Sequence, residues 1–117
     1  MRKVNCLKKI SDQSLLKISK KIKKITVKNK VKFLINDKPI VAKKIGADGS
    51  HIGQKDLGYY KSRKILGKNK IIGITCHNSK RLAIQAKKNG ANYVSFGSFF
   101  KSKTKKTTFK ANFAILR

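Results

Sequence analysis

The sequence feature that most constrains the fold is a regular alternation of helix-type and strand-type segments joined by short polar connections. After Ser11 and Asp12, apolar residues recur every three or four positions, which predicts a helix over residues 12–29. Four short apolar runs fit buried strands, and they lie at residues 31–35, 50–52, 71–75 and 93–96. Proline, capping residues and glycines predict helices between the strands, at residues 39–45, 59–66 and about 79–89.

This order of segments predicts parallel strands connected by right-handed helical crossovers. Periodicity alone is compatible with an open doubly wound sheet or with part of a barrel. In both architectures the functional groups lie at the carboxyl ends of the strands. Residues 98–117 are basic and rich in Ser and Thr, so we expect a loop and tail there, with a last short helix beginning near Phe109.

The net charge of +27, from 31 Lys and Arg against 4 acids, predicts a surface that attracts anions such as phosphorylated ligands and nucleic acid. Most of these residues are Lys, whereas Arg is the usual reader of base edges, and they are spread along the whole chain. We therefore favour a solvated basic surface and keep nucleic-acid binding as the alternative.

Cys6 and Cys76 have no metal-ligand spacing, which predicts free thiols in the cytoplasm. No apolar run is long enough to cross a membrane.

Polar residues follow each predicted strand. All four acids are Asp, and three of them fall within residues 37–56. Neighbouring strands lie about 4.8 Å apart, so Asp37 and Asp56 could approach and share Mg²⁺. Each could instead cap the helix that follows it. His51 could be a buried histidine satisfied by backbone, and His77 a general base or a loop residue. The other polar or small candidates at the strand ends are Asn36, Gln54, Thr75 and Gly97.

Taken in order, these segments resemble the thiamine-phosphate synthase and thiazole tautomerase family. Residues 33–37 (FLIND) are similar to its l-I-N-D strand, and residues 46–56 (GADGSHIGQKD) to its G-A-D-G-V-H-L-G-Q-x-D signature, with Ser50 where Val is usual. Residues 72–77 (IGITCH) and 91–97 (ANYVSFG) resemble I-G-V-S-x-H and A-D-Y-V-G-F-G. Residues 102–105 (SKTK) resemble T-x-T-K.

The resemblance implies a transferase of thiamine biosynthesis that joins a hydroxymethylpyrimidine diphosphate to a thiazole phosphate and releases pyrophosphate. It implies Mg²⁺ held by Asp37 and Asp56. Thr75 and Lys105 stand at catalytic positions. The positions implied for substrate binding are Asn36, His51, Gln54, Ser102, Thr104 and Lys105.

The implied fold is a partial (β/α)8 TIM barrel, covering about strands 3–6 with their flanking helices and incomplete at both ends. A complete barrel usually takes about 200 residues or more. We therefore expect the chain alone to be weakly active or inactive, and to need a second chain to complete the barrel. A thiazole tautomerase is the alternative within the family, but Asn36, Asp37 and Asp56 favour the synthase. Cys6 and Lys8 align only weakly with the family's Arg-x-Lys pair.

Overall fold

The protein is represented by a computed structural model that describes residues 11–55, 57–101 and 107–115, with backbone alone for 98–101 and 107–115. Helices and strands alternate along the chain until two consecutive strands follow the last helix. The elements are α1 (Asp12–Lys28), β1 (Leu34–Asn36), α2 (Pro39–Ile45), β2 (Gly49–Ile52), α3 (Tyr59–Leu66), β3 (Ile71–Thr75), α4 (Lys80–Asn89), β4 (Tyr93–Lys101) and β5 (Thr107–Ile115).

The five strands form one sheet in the order β1-β2-β3-β4-β5. The first four strands are parallel, and β5 pairs with β4 in the antiparallel direction. Spatial order follows chain order without the reversal that marks a doubly wound sheet. Within the described part of the chain, the sheet is therefore of the barrel type, which settles the alternative that periodicity had left open.

The helices begin where the sequence predicts, because their capping signals are local. Ser11 is the N-cap of α1, and its side chain accepts a hydrogen bond from the backbone N–H of Ser14. Ser79 caps α4 in the same way through Leu82. The predicted ranges of α1, α2, α3 and β3 are confirmed to within one residue.

Side chains on the two faces of the sheet differ in character, as period-two alternation requires. One face packs against the helices in a hydrophobic core that includes Ile35, Ile52, Ile74 and Val94 from four neighbouring strands. Residues one position away along each strand point to the opposite face. The members of this opposite face that matter for the site are Asn36, His51, Gly73, Thr75, Tyr93 and Ser95.

Two sequence-based expectations for the last twenty residues are wrong. The short helix expected near Phe109 is the strand β5, and residues 98–101, expected in a loop, extend β4. Phe109, Ala111 and Phe113 alternate with polar or small residues, which is a strand pattern. The capping role considered for Asp37 is also wrong, because the N-cap residue of α2 is Lys38.

The candidate cap Asp56 lies outside the described residues, and the N-cap of α3 is Gly58. Among the described residues, no helix is long and apolar enough to cross a membrane.

Candidate site at the carboxyl ends of the strands

Polar side chains from adjacent strands lie in register at the carboxyl end of the parallel sheet. Asn36 pairs with His51 between β1 and β2, and Thr75 pairs with Ser95 between β3 and β4. The backbone N–H of Asp37 also donates to the carbonyl of His51 at 2.8 Å. The structure thus brings together Asn36, Asp37, His51 and Thr75, as expected from the strand ends.

His51 joins two strands through its side chain. Its Nδ1 lies 2.7 Å from the hydroxyl of Tyr93, and its Nε2 lies 2.7 Å from Oγ1 of Thr75. The side chain is buried, and its ring stacks on that of Tyr93 with centroids 5.5 Å apart. Ser95 extends this network, since its hydroxyl lies 3.5 Å from Thr75 Oγ1. The expectation that backbone groups form the hydrogen bonds of the His51 ring was wrong, because both ring nitrogens lie beside side-chain hydroxyls.

Tyr93 reaches His51 because the facing residue on β3 is glycine. Gly73 pairs with Tyr93, and a Cβ at Gly73 would lie only 1.9 Å from Tyr93 Cζ. Burial raises the pKa of the Tyr93 hydroxyl, so the phenol keeps its proton. Sequence reasoning missed Tyr93 and Ser95 as site residues. Their period-two spacing with Gly97 could have placed both on the polar face.

Two energetically unfavourable features lie at the end of β1. Asn36 Oδ1 is buried, and the structure gives it no hydrogen-bond partner. Asp37 follows with φ at 61°, in the left-handed region that non-glycine residues seldom adopt. Unpartnered buried oxygens and left-handed side-chain-bearing residues are both unfavourable, and they are concentrated at functional sites.

The loops after β2 and β3 add further polar groups. Gln54 Nε2 donates to the carbonyl of Thr75 at 2.7 Å, which joins these two loops. His77 has φ at 50° and is exposed, and its carbonyl accepts from the backbone N–H of Gly97 at 2.9 Å. Cys76, which lies between Thr75 and His77 in the chain, is a buried free thiol, and burial raises its pKa.

Several residues that the sequence placed in the site lie outside the described residues, namely Asp56, Ser102, Thr104 and Lys105. The predicted approach of Asp37 and Asp56 therefore stays a prediction. Within residues 11–55, 57–101 and 107–115, no three His, Cys, Asp or Glu side chains are grouped to hold a metal. The carboxylate of Asp37 and the buried oxygen of Asn36 are hard donors of the kind that Mg²⁺ prefers.

At the opposite, amino end of the sheet, acidic and amide side chains bind the chain's own backbone. Asp48 Oδ2 accepts from the backbone N–H of Phe33 at 2.8 Å. Asn92 Oδ1 accepts from the N–H of Ile72 at 2.9 Å and from Arg63 Nη2 at 2.8 Å. Asp48 and Asn92 are each preceded by the dipeptide Gly-Ala, so the same hydrogen-bonding arrangement occurs twice along the chain.

Fold and site together define a barrel-type α/β protein with its polar groups collected at the carboxyl ends of parallel strands, where barrel enzymes bind their ligands. A family model described as thiamine monophosphate synthase matches residues 6–117. The chain belongs to this family, and the resemblance found in the sequence is confirmed.

Individual relatives agree with the family assignment. A thiamine-phosphate synthase of Pelagibacter ubique (strain HTCC1062) is 56% identical over 111 residues, which are 95% of this chain and 53% of that protein. One from Rhodospirillum centenum (strain ATCC 51521 / SW) is 38% identical over 94% of this chain and 53% of its own length. The structure of a thiamine phosphate pyrophosphorylase from Pyrococcus furiosus matches with a TM-score of 0.76 and 27% identity, over 88% of this chain and 50% of that chain.

The chain thus spans about half the length of these relatives. Its four parallel strands and flanking helices form part of the TIM-barrel-like fold of thiamine phosphate synthases, as the sequence predicted.

Proposed function

We propose that this chain supplies the pyrimidine diphosphate side of a thiamine-phosphate synthase. In this reaction a hydroxymethylpyrimidine diphosphate is joined to a thiazole phosphate, and pyrophosphate is released. The observation that carries the proposal is the convergence of Asn36, Asp37, His51 and Thr75 at one end of the sheet in a chain of this family. The curated relatives named above are synthases, which favours the synthase over the tautomerase alternative.

The chemistry of the ligand suits these residues. A leaving diphosphate gathers negative charge, and donors or cations placed around it stabilise that charge. Mg²⁺, when bound, would neutralise part of it, and we expect the carboxylate of Asp37 to help hold the ion. Asn36 is placed to orient a polar group of the pyrimidine or the diphosphate through the Oδ1 atom that has no partner. The family motifs further imply Asp56 as a second metal ligand, and Ser102, Thr104 and Lys105 as contacts to the substrate.

The second substrate is expected to be held less well. The chain covers about half of its relatives, so we propose that the thiazole phosphate is bound largely by a further part of the barrel, supplied by a second chain or a longer polypeptide. Holding two reactants in attack geometry contributes roughly 7–11 kcal/mol to such reactions. The 117 residues alone should therefore release pyrophosphate slowly and form little or no thiamine phosphate.

The test supplies both substrates with Mg²⁺ and measures thiamine phosphate and pyrophosphate separately. Asp37→Asn should abolish Mg²⁺-dependent pyrophosphate release. Asp48→Asn is the matched control, because it makes the same chemical change at the opposite end of the sheet and should leave release intact. Equal loss in both variants, or release that does not depend on Mg²⁺, would contradict the proposal.

A further inference from the structure

The environment of His51 limits what its ring can do. Both ring nitrogens lie 2.7 Å from a protein hydroxyl, Nδ1 from Tyr93 and Nε2 from Thr75. The side chain is only 8% exposed. The hydrogen-bonding edge of the ring is therefore used within the protein, whereas Thr75 is half-buried at the carboxyl end of β3. The His51 ring can therefore influence a ligand at the strand ends through Thr75, the half-buried partner of its Nε2 atom.

The direction of these hydrogen bonds follows from the donors. A neutral imidazole has one nitrogen that donates and one that accepts. A phenol is a stronger acid than an aliphatic alcohol, so Tyr93 is the better donor of the two hydroxyls. If Tyr93 donates to Nδ1, the ring proton lies on Nε2 and is donated to Thr75 Oγ1. The hydroxyl hydrogen of Thr75 is then directed away from His51.

We infer that His51 is a positioning residue, which takes a hydrogen bond from Tyr93 and, as the neutral Nε2–H tautomer, turns the Thr75 hydroxyl into a donor toward an anionic ligand. Phosphate oxygens only accept hydrogen bonds, so the site has to present hydrogens to them. The reverse tautomer would use the Thr75 hydrogen internally and present lone pairs instead. The part of this inference that concerns donation by Thr75 to an anionic ligand rests on the proposed function, whereas the assignment of the His51 tautomer does not.

The tautomer can be read directly by NMR of chain labelled with ¹³C and ¹⁵N at histidine. There are only two histidines, so His77→Gln leaves the signals of His51 alone. We expect the Nε2–H pattern under conditions where histidine is neutral. Tyr93→Phe keeps the ring over Gly73 but removes the donor, and should move His51 toward a mixture of tautomers. An Nδ1–H pattern in the parent chain, or no change in Tyr93→Phe, would overturn the inference.

Binding of inorganic pyrophosphate with Mg²⁺, measured by calorimetry, tests whether His51 acts through Thr75. Tyr93→Phe should weaken binding roughly fivefold to tenfold, the value of about one hydrogen bond. Thr75→Val should weaken binding at least as much, and Thr75→Ser, which keeps the hydroxyl, should restore it.

The decisive comparison is the double variant. If Tyr93 and His51 act only through Thr75, adding Tyr93→Phe to Thr75→Val should weaken binding no further. Losses that simply multiply would overturn the relay and leave Tyr93 as a packing residue. If the parent chain does not bind pyrophosphate at all, the proposed function fails and the part of the inference that concerns the ligand falls with it, while the NMR result still decides the tautomer.

Discussion

The two ends of the parallel sheet carry similar residue types in opposite situations. At the amino end, Asp48 and Asn92 each accept a hydrogen bond from a backbone N–H at the start of a neighbouring strand, from Phe33 just before β1 and from Ile72 in β3. At the carboxyl end, Asn36 keeps a buried oxygen without a partner, and Asp37 has a left-handed backbone conformation. The side-chain oxygens of Asp48 and Asn92 at the amino end therefore have hydrogen-bond partners within the protein.

This difference separates Asp48 and Asn92, which stabilise the fold, from Asn36, whose buried oxygen is available to a ligand. A backbone N–H whose hydrogen bond is supplied by a side chain contributes to stability, whereas a buried oxygen left without a partner lowers stability until something binds it. Substitutions at the amino end should therefore change stability, and substitutions at the carboxyl end should change ligand binding more than stability.

A large loss of stability is expected for Gly73→Ala, in the middle of the sheet. The new Cβ would overlap the ring of Tyr93, which has to leave its place over β3 and release His51. Overpacking of this kind costs about 2–3 kcal/mol in the free energy of unfolding, measurable by urea denaturation. Tyr93→Phe is the control, because it keeps the ring and should cost less. An unchanged urea midpoint for Gly73→Ala would mean that Tyr93 is not held as described.

The next effect is expected at the amino end. Asp48→Ala leaves the backbone N–H of Phe33 without its acceptor, which should lower the free energy of unfolding by about 2 kcal/mol. Asp48→Asn keeps an acceptor oxygen, as Asn92 does at the equivalent position, and should cost under about 1 kcal/mol by urea denaturation. If both variants are equally unstable, the charge of Asp48 rather than its hydrogen bond is what matters.

A smaller effect of opposite sign is expected for Asn36→Leu. An apolar side chain of similar size removes the buried oxygen without a partner, so stability should rise by about 0.5–1 kcal/mol. Pyrophosphate binding should be lost in the same variant. A decrease in stability would show that Asn36 is satisfied within the folded chain, and would weaken the contrast between the two ends.

The smallest effect is expected from relieving left-handed backbone. Asp37→Gly and Lys30→Gly remove side chains at φ values of 61° and 56°, and each should gain about 0.5 kcal/mol in stability. Only Asp37→Gly should lose Mg²⁺-dependent pyrophosphate binding, because Lys30 follows α1 away from the strand ends. Loss of binding in both variants would point to a general effect of backbone flexibility.

Most of the fold was predictable because its signals are local. The caps at Ser11 and Ser79, Pro39 at the start of α2, and the short apolar strands each depend on a few neighbouring residues. The strand β5 was missed because the Lys- and Thr-rich composition before it suggested a loop, although Phe109, Ala111 and Phe113 alternate as a strand does. Pairing with β4 is a long-range property that periodicity cannot supply.

The position of the polar residues at the strand ends was predictable, whereas the hydrogen bonds between them were not. Polar residues after apolar strands identified Asn36, Asp37, His51 and Thr75. The hydrogen bond between His51 and Tyr93 links residues far apart in the chain, and it depends on the register of β2, β3 and β4. Register is fixed by tertiary packing, so the sequence alone could not show that His51 is held on both sides.

The contact between Gly73 and Tyr93 has a consequence for how this sequence can diverge. The Tyr93 ring occupies the space that a side chain at position 73 would need. Gly73 is therefore not free to mutate to a larger residue while Tyr93 stays in place. A lineage that acquires Ala or Ser at position 73 has to displace the Tyr93 ring, and exchange of Tyr93 for a smaller residue relieves the overlap. It thereby gives up the phenol beside His51, so the two positions should vary as a pair, and drift there should be slow.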